Sequence, residues 1–326
     1  MTLVTVLDDY QNVALSAADW SPVVNRDGTD LGTDSSIEVQ VVSEHIADVD
    51  RLVETLVSSD IVVAMRERTA FPDSVLARLP NLRLLVTTGM RNAAIDVAAA
   101  NRRGITVCGT AGGGSSVPEL TIGMIIALTR HFVDEDRAIR AGRWQHTIGP
   151  TLAGKTLGVV GLGRLGTQVA QLAQAFEMTV IAWSEHLTQE RASEHGVLAV
   201  DKDALFERSD VVTIHLPLSE RSAGLVGAAE LRLLGASGYL VNTSRGPIVD
   251  EPALIAALND GTIAGAALDV YDIEPLPQAH PLRSAPHTLL LPHIGYVSTD
   301  TYQRFFTDVV EDIAAYLRGE PVRILE

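Results

Sequence analysis

The sequence predicts an α/β protein of two doubly wound parallel-sheet domains, and three observations carry that expectation. Short β-branched runs alternate with longer helical patterns almost from end to end. Most of those runs are apolar throughout instead of alternating, as strands of a parallel sheet covered on both faces must be. The chain has 326 residues, and at roughly 150 residues per domain that length fits two cores.

Strands are expected at 3–7, 37–42, 60–65, 82–88 and 105–109. A second series is expected at 156–161, 179–183, 210–216, 239–243, 265–270 and 288–292. Helical stretches such as DRLVETLVSS, LGTQVAQLAQAF and EPALIAALNDG separate them, which gives right-handed βαβ units. One long helix is expected from about Pro118 to Arg143, with Ser115 and Ser116 as capping candidates and Gly142 near its end. At about 1.5 Å per residue it is long enough to cross between domains. A final amphipathic helix over about 299–318 stops at Gly319 and Pro321.

Composition narrows the function classes. Twenty-five Lys and Arg against 41 Asp and Glu give a formal charge of −16. Phosphate backbones and anionic lipid need local positive charge, so neither nucleic acid nor membrane is an expected partner. Cys108 is the single cysteine, which rules out an intramolecular disulfide and a multi-cysteine metal site; no metal is expected. The opening MTLVTVLDDYQ has no basic region and reads as a strand, not a signal peptide. Apolar runs such as IGMIIAL fall far short of the ~18 residues a membrane span needs. A soluble cytoplasmic protein is expected.

Gly161-Leu-Gly163-Arg-Leu-Gly166 is a G-x-G-x-x-G run. Alone it is a weak signal. Here it follows an apolar strand directly and opens a helix, where the three glycines serve in turn for a tight turn, close approach to a pyrophosphate and close helix–strand packing. The backbone N–H groups around Arg164 and Leu165 then face the anion. After the next strand comes Ser184-Glu185-His186, where the ribose-binding acid of a dinucleotide site belongs. An acid there accepts hydrogen bonds from ribose hydroxyls and repels a 2′-phosphate. With no Arg or Lys between 184 and 190, NAD is the expected cofactor, NADP or dual use staying open.

Three later strands end in chemically useful groups: Arg245 after YLVNT, Glu274 beyond GAALDV, and His293 after TLLLP. Parallel sheets place ligands at the carboxyl ends of their strands. Ketone reduction needs a proton donor near neutral pH, which suits His. A carboxylate on the other ring nitrogen fixes the tautomer, and Arg clamps a substrate carboxylate in two-point fashion. Together they describe a 2-keto acid reductase, or the reverse oxidation of a 2-hydroxy acid. Each residue alone has a structural alternative. His215, in HLPL, also ends a strand on the cofactor side.

The stretches GLGRLG, HLPL, VNTSRGPIVDEPALIAAL, GAALDVYDIEP and LPHIG, in this order, resemble the D-isomer-specific 2-hydroxy acid dehydrogenases. The resemblance is strongest over about 155–296 and extends more weakly from about 60 to 320. It implies Arg245 as the substrate-binding catalytic Arg, Glu274 as the carboxylate partner and His293 as the acid/base. It implies cofactor contacts at Gly161, Gly163, Arg164, Leu165, Gly166, Ser184, Glu185, His215, Leu216, Pro217, Thr243, Ser244, Asp269 and Gly295. It further implies a Rossmann cofactor domain, 109–296, inserted into a flavodoxin-like substrate domain made of 1–108 and 297–326. Members are usually homodimers.

Departures from the pattern are expected to set specificity. Ser184 stands where the family usually has an acid, and Tyr296 follows HIG where a small residue is common. Met65, Arg66, Gly89, Met90 and Arg91 fall on two substrate-facing loops, with Arg66 or Arg91 a candidate for a distal anionic group. Alternatives are a 3-phosphoglycerate dehydrogenase of serine synthesis, or a non-catalytic NADH-sensing binding protein.

Overall fold

The computed structural model describes residues 1–24, 36–112, 114 and 116–326. The chain divides into two compact units, Met1–Gly114 with Val297–Glu326, and Ser115–Tyr296. No helix of the described residues is long and apolar enough to cross a membrane.

The first unit is built on β1 (Thr2–Val6), β2 (Ile37–Val41), β3 (Ile61–Ala64), β4 (Leu84–Thr87) and β5 (Thr106–Gly109). They form one parallel sheet in the order β2-β1-β3-β4-β5, the flavodoxin-like arrangement. Every residue of β3 and β4 is buried, whereas β2, at the sheet edge, alternates between half-buried and exposed. Leu56, Val62, Phe71, Leu85 and Val107 form its core. The helix Thr299–Leu317 returns to this unit, capped by Ser298 and burying Phe305, Phe306, Val309 and Ile313. Asp308 on that helix accepts the backbone N–H of Ala111 at 2.7 Å.

The second unit carries β6 (Thr156–Val160), β7 (Thr179–Trp183), β8 (Leu198–Ala199), β9 (Val211–Ile214), β10 (Tyr239–Asn242), β11 (Gly265–Leu268) and β12 (Thr288–Leu290). Their order is β12-β11-β10-β9-β6-β7-β8, and every pairing is parallel. The chain winds outward from β6 through β8, then returns to lie on the other side of β6 as β9. Ligands of such sheets bind where this reversal opens a crevice at the strands' carboxyl ends. The two-residue β8 is too short to leave a pattern in the sequence.

The expected single helix over 118–143 is instead two, Ser116–Thr129 and Phe132–Arg140. His131 between them has φ of 55°, a left-handed residue that ends one helix and starts the other. The first helix buries Ile122, Met124, Ile125 and Leu128, and the second buries only Ala138 and is studded with charge. Gly149 packs against the end of the first helix so closely that a Cβ there would lie 2.0 Å from the Thr129 carbonyl oxygen. Arg130 and His131 are not helix breakers, so periodicity carries straight through a turn that tertiary packing imposes. Ser116 is the first residue of the helix, and Ser115 lies outside the described residues.

Candidate active site

The glycine run forms a tight turn with a close helix contact. Gly161 leaves β6 with φ of 99°, and a Cβ on it would come within 2.8 Å of the His215 carbonyl oxygen. The turn therefore joins the ends of β6 and β9, at the switch in strand order. Gly166 lies so close to the same turn that a Cβ would stand 2.1 Å from the Gly161 oxygen. A Cβ on Gly163, by contrast, would meet nothing within 4 Å. Gly163 caps the helix Arg164–Ala175, which has no side-chain cap and no acid in its first turn. An open, uncapped helix N-terminus with its positive dipole end fits a dinucleotide pyrophosphate, with Arg164 and Leu165 supplying backbone N–H groups.

Ser184 and Glu185 follow β7 directly. Glu185 Oε2 accepts a hydrogen bond from Arg221 at 3.0 Å, and His186 Nε2 lies 4.0 Å away. After β9, His215 donates its backbone N–H to Val160, and its ring Nε2 lies 3.0 Å from Thr213 Oγ1. Burial pulls this imidazole down to about 4, so it is neutral at physiological pH. The Leu216 carbonyl accepts the Ser244 hydroxyl, and Pro217 accepts that of Ser222 at 2.8 Å.

The turn after β10 is shaped by Asn242, a buried residue that reads as plain strand in the sequence. Its amide donates to the Arg245 carbonyl at 2.9 Å and accepts the Ser244 N–H at 3.0 Å. An Asn closing an otherwise apolar strand was the signal available. Thr243 lies 3.0 Å from Thr121 on the helix Ser116–Thr129, oxygen to oxygen. The Arg245 guanidinium donates to the Ser244 carbonyl at 2.8 Å. Gly246 presses on the next turn so tightly that a Cβ would sit 2.1 Å from the Tyr271 carbonyl carbon.

Beyond β11, Asp269 is buried and its carboxylate oxygens accept the backbone N–H groups of Ile294 and Gly295, each at 2.7 Å. Burial raises its pKa above the ordinary carboxylate value, against the pull of those two bonds. Glu274 Oε1 accepts the Tyr271 N–H at 2.9 Å, while its Oε2 lies 2.5 Å from His293 Nδ1. With Nδ1 engaged, Nε2 is the ring nitrogen left for a reacting atom. His293 has φ of 55°, a conformation a non-glycine residue keeps only when its surroundings hold it. The Tyr296 ring meets the imidazole edge to face, centroids 5.6 Å apart. Arg245, Glu274 and His293 thus follow three neighbouring strands, and the last two touch.

The remaining candidates lie in the first unit. Met65 is buried, its sulfur 3.3 Å from the Thr88 hydroxyl. Arg66, at φ 53°, donates to the Thr88 carbonyl at 3.1 Å and lies 3.6 Å from Glu67. Its guanidinium occupies the space beside Gly89 that a Cβ would fill. Met90 and Arg91 are exposed on the same loop. Among the described residues, no group of three or more His, Cys, Asp or Glu could hold a metal ion.

Residues 122–295 match the family described as D-isomer specific 2-hydroxyacid dehydrogenase, NAD binding domain. A glyoxylate reductase of Thermofilum pendens is 38% identical over 254 residues, 76% of this chain and 75% of that protein. A D-3-phosphoglycerate dehydrogenase of Archaeoglobus fulgidus is 36% identical over 264 residues, 80% of this chain. The match spans about half, 50%, of that longer protein. The solved structure of a phosphoglycerate oxidoreductase from Vibrio cholerae superposes with a TM-score of 0.90 at 33% identity, covering 98% of this chain and 100% of that one.

Proposed function

Because the chain belongs to the D-isomer specific 2-hydroxyacid dehydrogenases, NAD(P)-dependent oxidoreductases, we propose that it reduces a small 2-keto acid to the D-2-hydroxy acid. His293 is the acid/base, Glu274 its partner, and Arg245 the clamp on the substrate carboxylate. The observation that carries this is the 2.5 Å contact of Glu274 with His293 Nδ1, beyond the ends of β11 and β12, with Arg245 following the adjacent β10.

A nicotinamide dinucleotide held at this site would supply the hydride. As charge develops on the carbonyl oxygen, His293 Nε2 delivers the proton that completes the hydroxyl. Glu274, in contact with Nδ1, holds the ring in the donating orientation. Arg245 binds the substrate carboxylate through paired N–H groups and polarises the adjacent carbonyl. Gly161, Gly163, Arg164, Leu165 and Gly166 hold the pyrophosphate. Ser184 and Glu185 hold the ribose, and His215, Leu216, Pro217, Thr243, Ser244, Asp269 and Gly295 line the remainder of the cofactor site.

We assign the cofactor role to 109–296 and the substrate role to 1–108 with 297–326. Arg66 and Arg91 take the distal end of the substrate, and Tyr296 limits its size. Unchanged kinetics of R66A and R91A across several keto acids would remove the first assignment. The working form on this reading is a cytoplasmic homodimer.

The experiment is oxidation of NADH and NADPH, each offered with glyoxylate, hydroxypyruvate, pyruvate, phenylpyruvate, oxaloacetate or 2-ketoglutarate. Turnover with one of them is expected. Tight NADH binding with no hydride transfer to any keto acid would replace this reading with that of an NADH sensor.

A further inference from the structure

Taking Ser184 and Glu185 as the ribose position, as proposed above, we infer that Arg221 is a latent partner for a 2′-phosphate, held off it by Glu185. One carboxylate then sets the choice between the two nicotinamide dinucleotides.

Nothing basic follows β7 in the sequence up to residue 190 except His186, so by sequence alone the ribose position has an acid and no permanent cation. The fold changes that. Arg221, from the segment after β9, reaches Glu185 across 36 residues of chain and donates to it at 3.0 Å. The ribose position is therefore flanked by a carboxylate and a guanidinium, with His186 beside them at 4.0 Å. Both members of the pair are well exposed, 55% for Glu185 and 74% for Arg221. An exposed pair of this kind contributes little to stability, so its removal leaves the fold intact.

The electrostatics run in one direction while Glu185 is present. Its carboxylate accepts from ribose hydroxyls, repels a phosphate, and occupies the guanidinium that would otherwise bind one. A 2′-phosphate carries up to two negative charges and three acceptor oxygens, and a guanidinium is the side chain best matched to it. Replacing Glu185 by Gln removes the repulsion and frees the Arg221 donors in the same step.

The test is equilibrium binding of NADH and NADPH, followed by cofactor fluorescence, to the wild type, E185Q, R221Q and the E185Q/R221Q double variant. The wild type should prefer NADH. E185Q should tighten NADPH by roughly tenfold or more and weaken NADH, whose ribose hydroxyls lose a charged acceptor. The double variant should lose that gain, R221Q alone should show none, and added salt should shrink it. A wild type that prefers NADPH, an E185Q variant with unchanged NADPH affinity, or a gain that survives in the double variant would each overturn the inference. If the wild type binds neither cofactor, the proposed function falls as well. If it binds NADH and E185Q gains nothing, only the role of Arg221 falls.

Discussion

Asp269 Oδ2 accepts the backbone N–H of Gly295 at 2.7 Å, and its other oxygen takes the N–H of Ile294. The segment carrying His293 is thus fixed by a buried anion at the end of the neighbouring strand, not by sheet pairing. D269A should lower kcat by about 10²-fold, the cost of misplacing a reacting group by about 1 Å. The fold should survive, as judged by circular dichroism. Wild-type kcat in that variant would show that the His293 turn holds itself.

His293 and Arg245 should fail differently. H293A should lower turnover by roughly 10²–10⁴, whereas R245A should raise KM as well as lower kcat. Reduction consumes the imidazolium proton and oxidation needs the neutral ring, so reduction should favour lower pH than oxidation. Coincident pH profiles in the two directions would count against the His293–Glu274 pair.

Two glycines of one run separate binding from folding. G163A adds a methyl where nothing stands within 4 Å, whereas G166A drives one to 2.1 Å from the Gly161 oxygen. G163A should lose cofactor affinity and cost no more than about 1 kcal/mol of stability, alanine being a poorer N-cap than glycine. G166A should lose both, at about 1–3 kcal/mol of stability. Equal melting behaviour of the two variants would contradict this division.

Stability should also depend on Asp312. Burial pushes this carboxyl up to about 7 in spite of the Arg323 guanidinium 2.9 Å away, and Asp308 and Glu311 add to the push. Its folded value exceeds the unfolded one, so its contribution is complete below about pH 4 and is lost as pH rises through about 7. The loss runs at about 1.4 kcal/mol per pH unit. Urea midpoints should therefore show the wild type weakening relative to D312N between about pH 4 and pH 7 and running parallel to it above that. Curves parallel throughout would sink the assignment.

What was legible in the sequence was what local pattern records. Both sheets could be read from apolar runs, and the glycine cradle and the trio of strand-end groups from motif and spacing. What escaped depended on distant parts of the chain. The break at His131 is imposed by packing, β8 is two residues long, and Asn242 looks like strand until its amide is seen closing the Ser244–Arg245 turn. Arg221 is the clearest case: no Arg or Lys lies between 184 and 190, and the guanidinium beside Glu185 in space arrives from the loop after β9.

The chain's division also orders its own making. The second unit is one unbroken stretch, Ser115–Tyr296, whereas the first lacks the helix Thr299–Leu317 until after that stretch has been made. Phe305, Phe306, Val309 and Ile313, buried on that helix, leave the first sheet without part of its covering until they emerge. A domain folds as a unit once its residues are present. On the ribosome, the first sheet must therefore wait for its last helix until the whole of the second unit has been made.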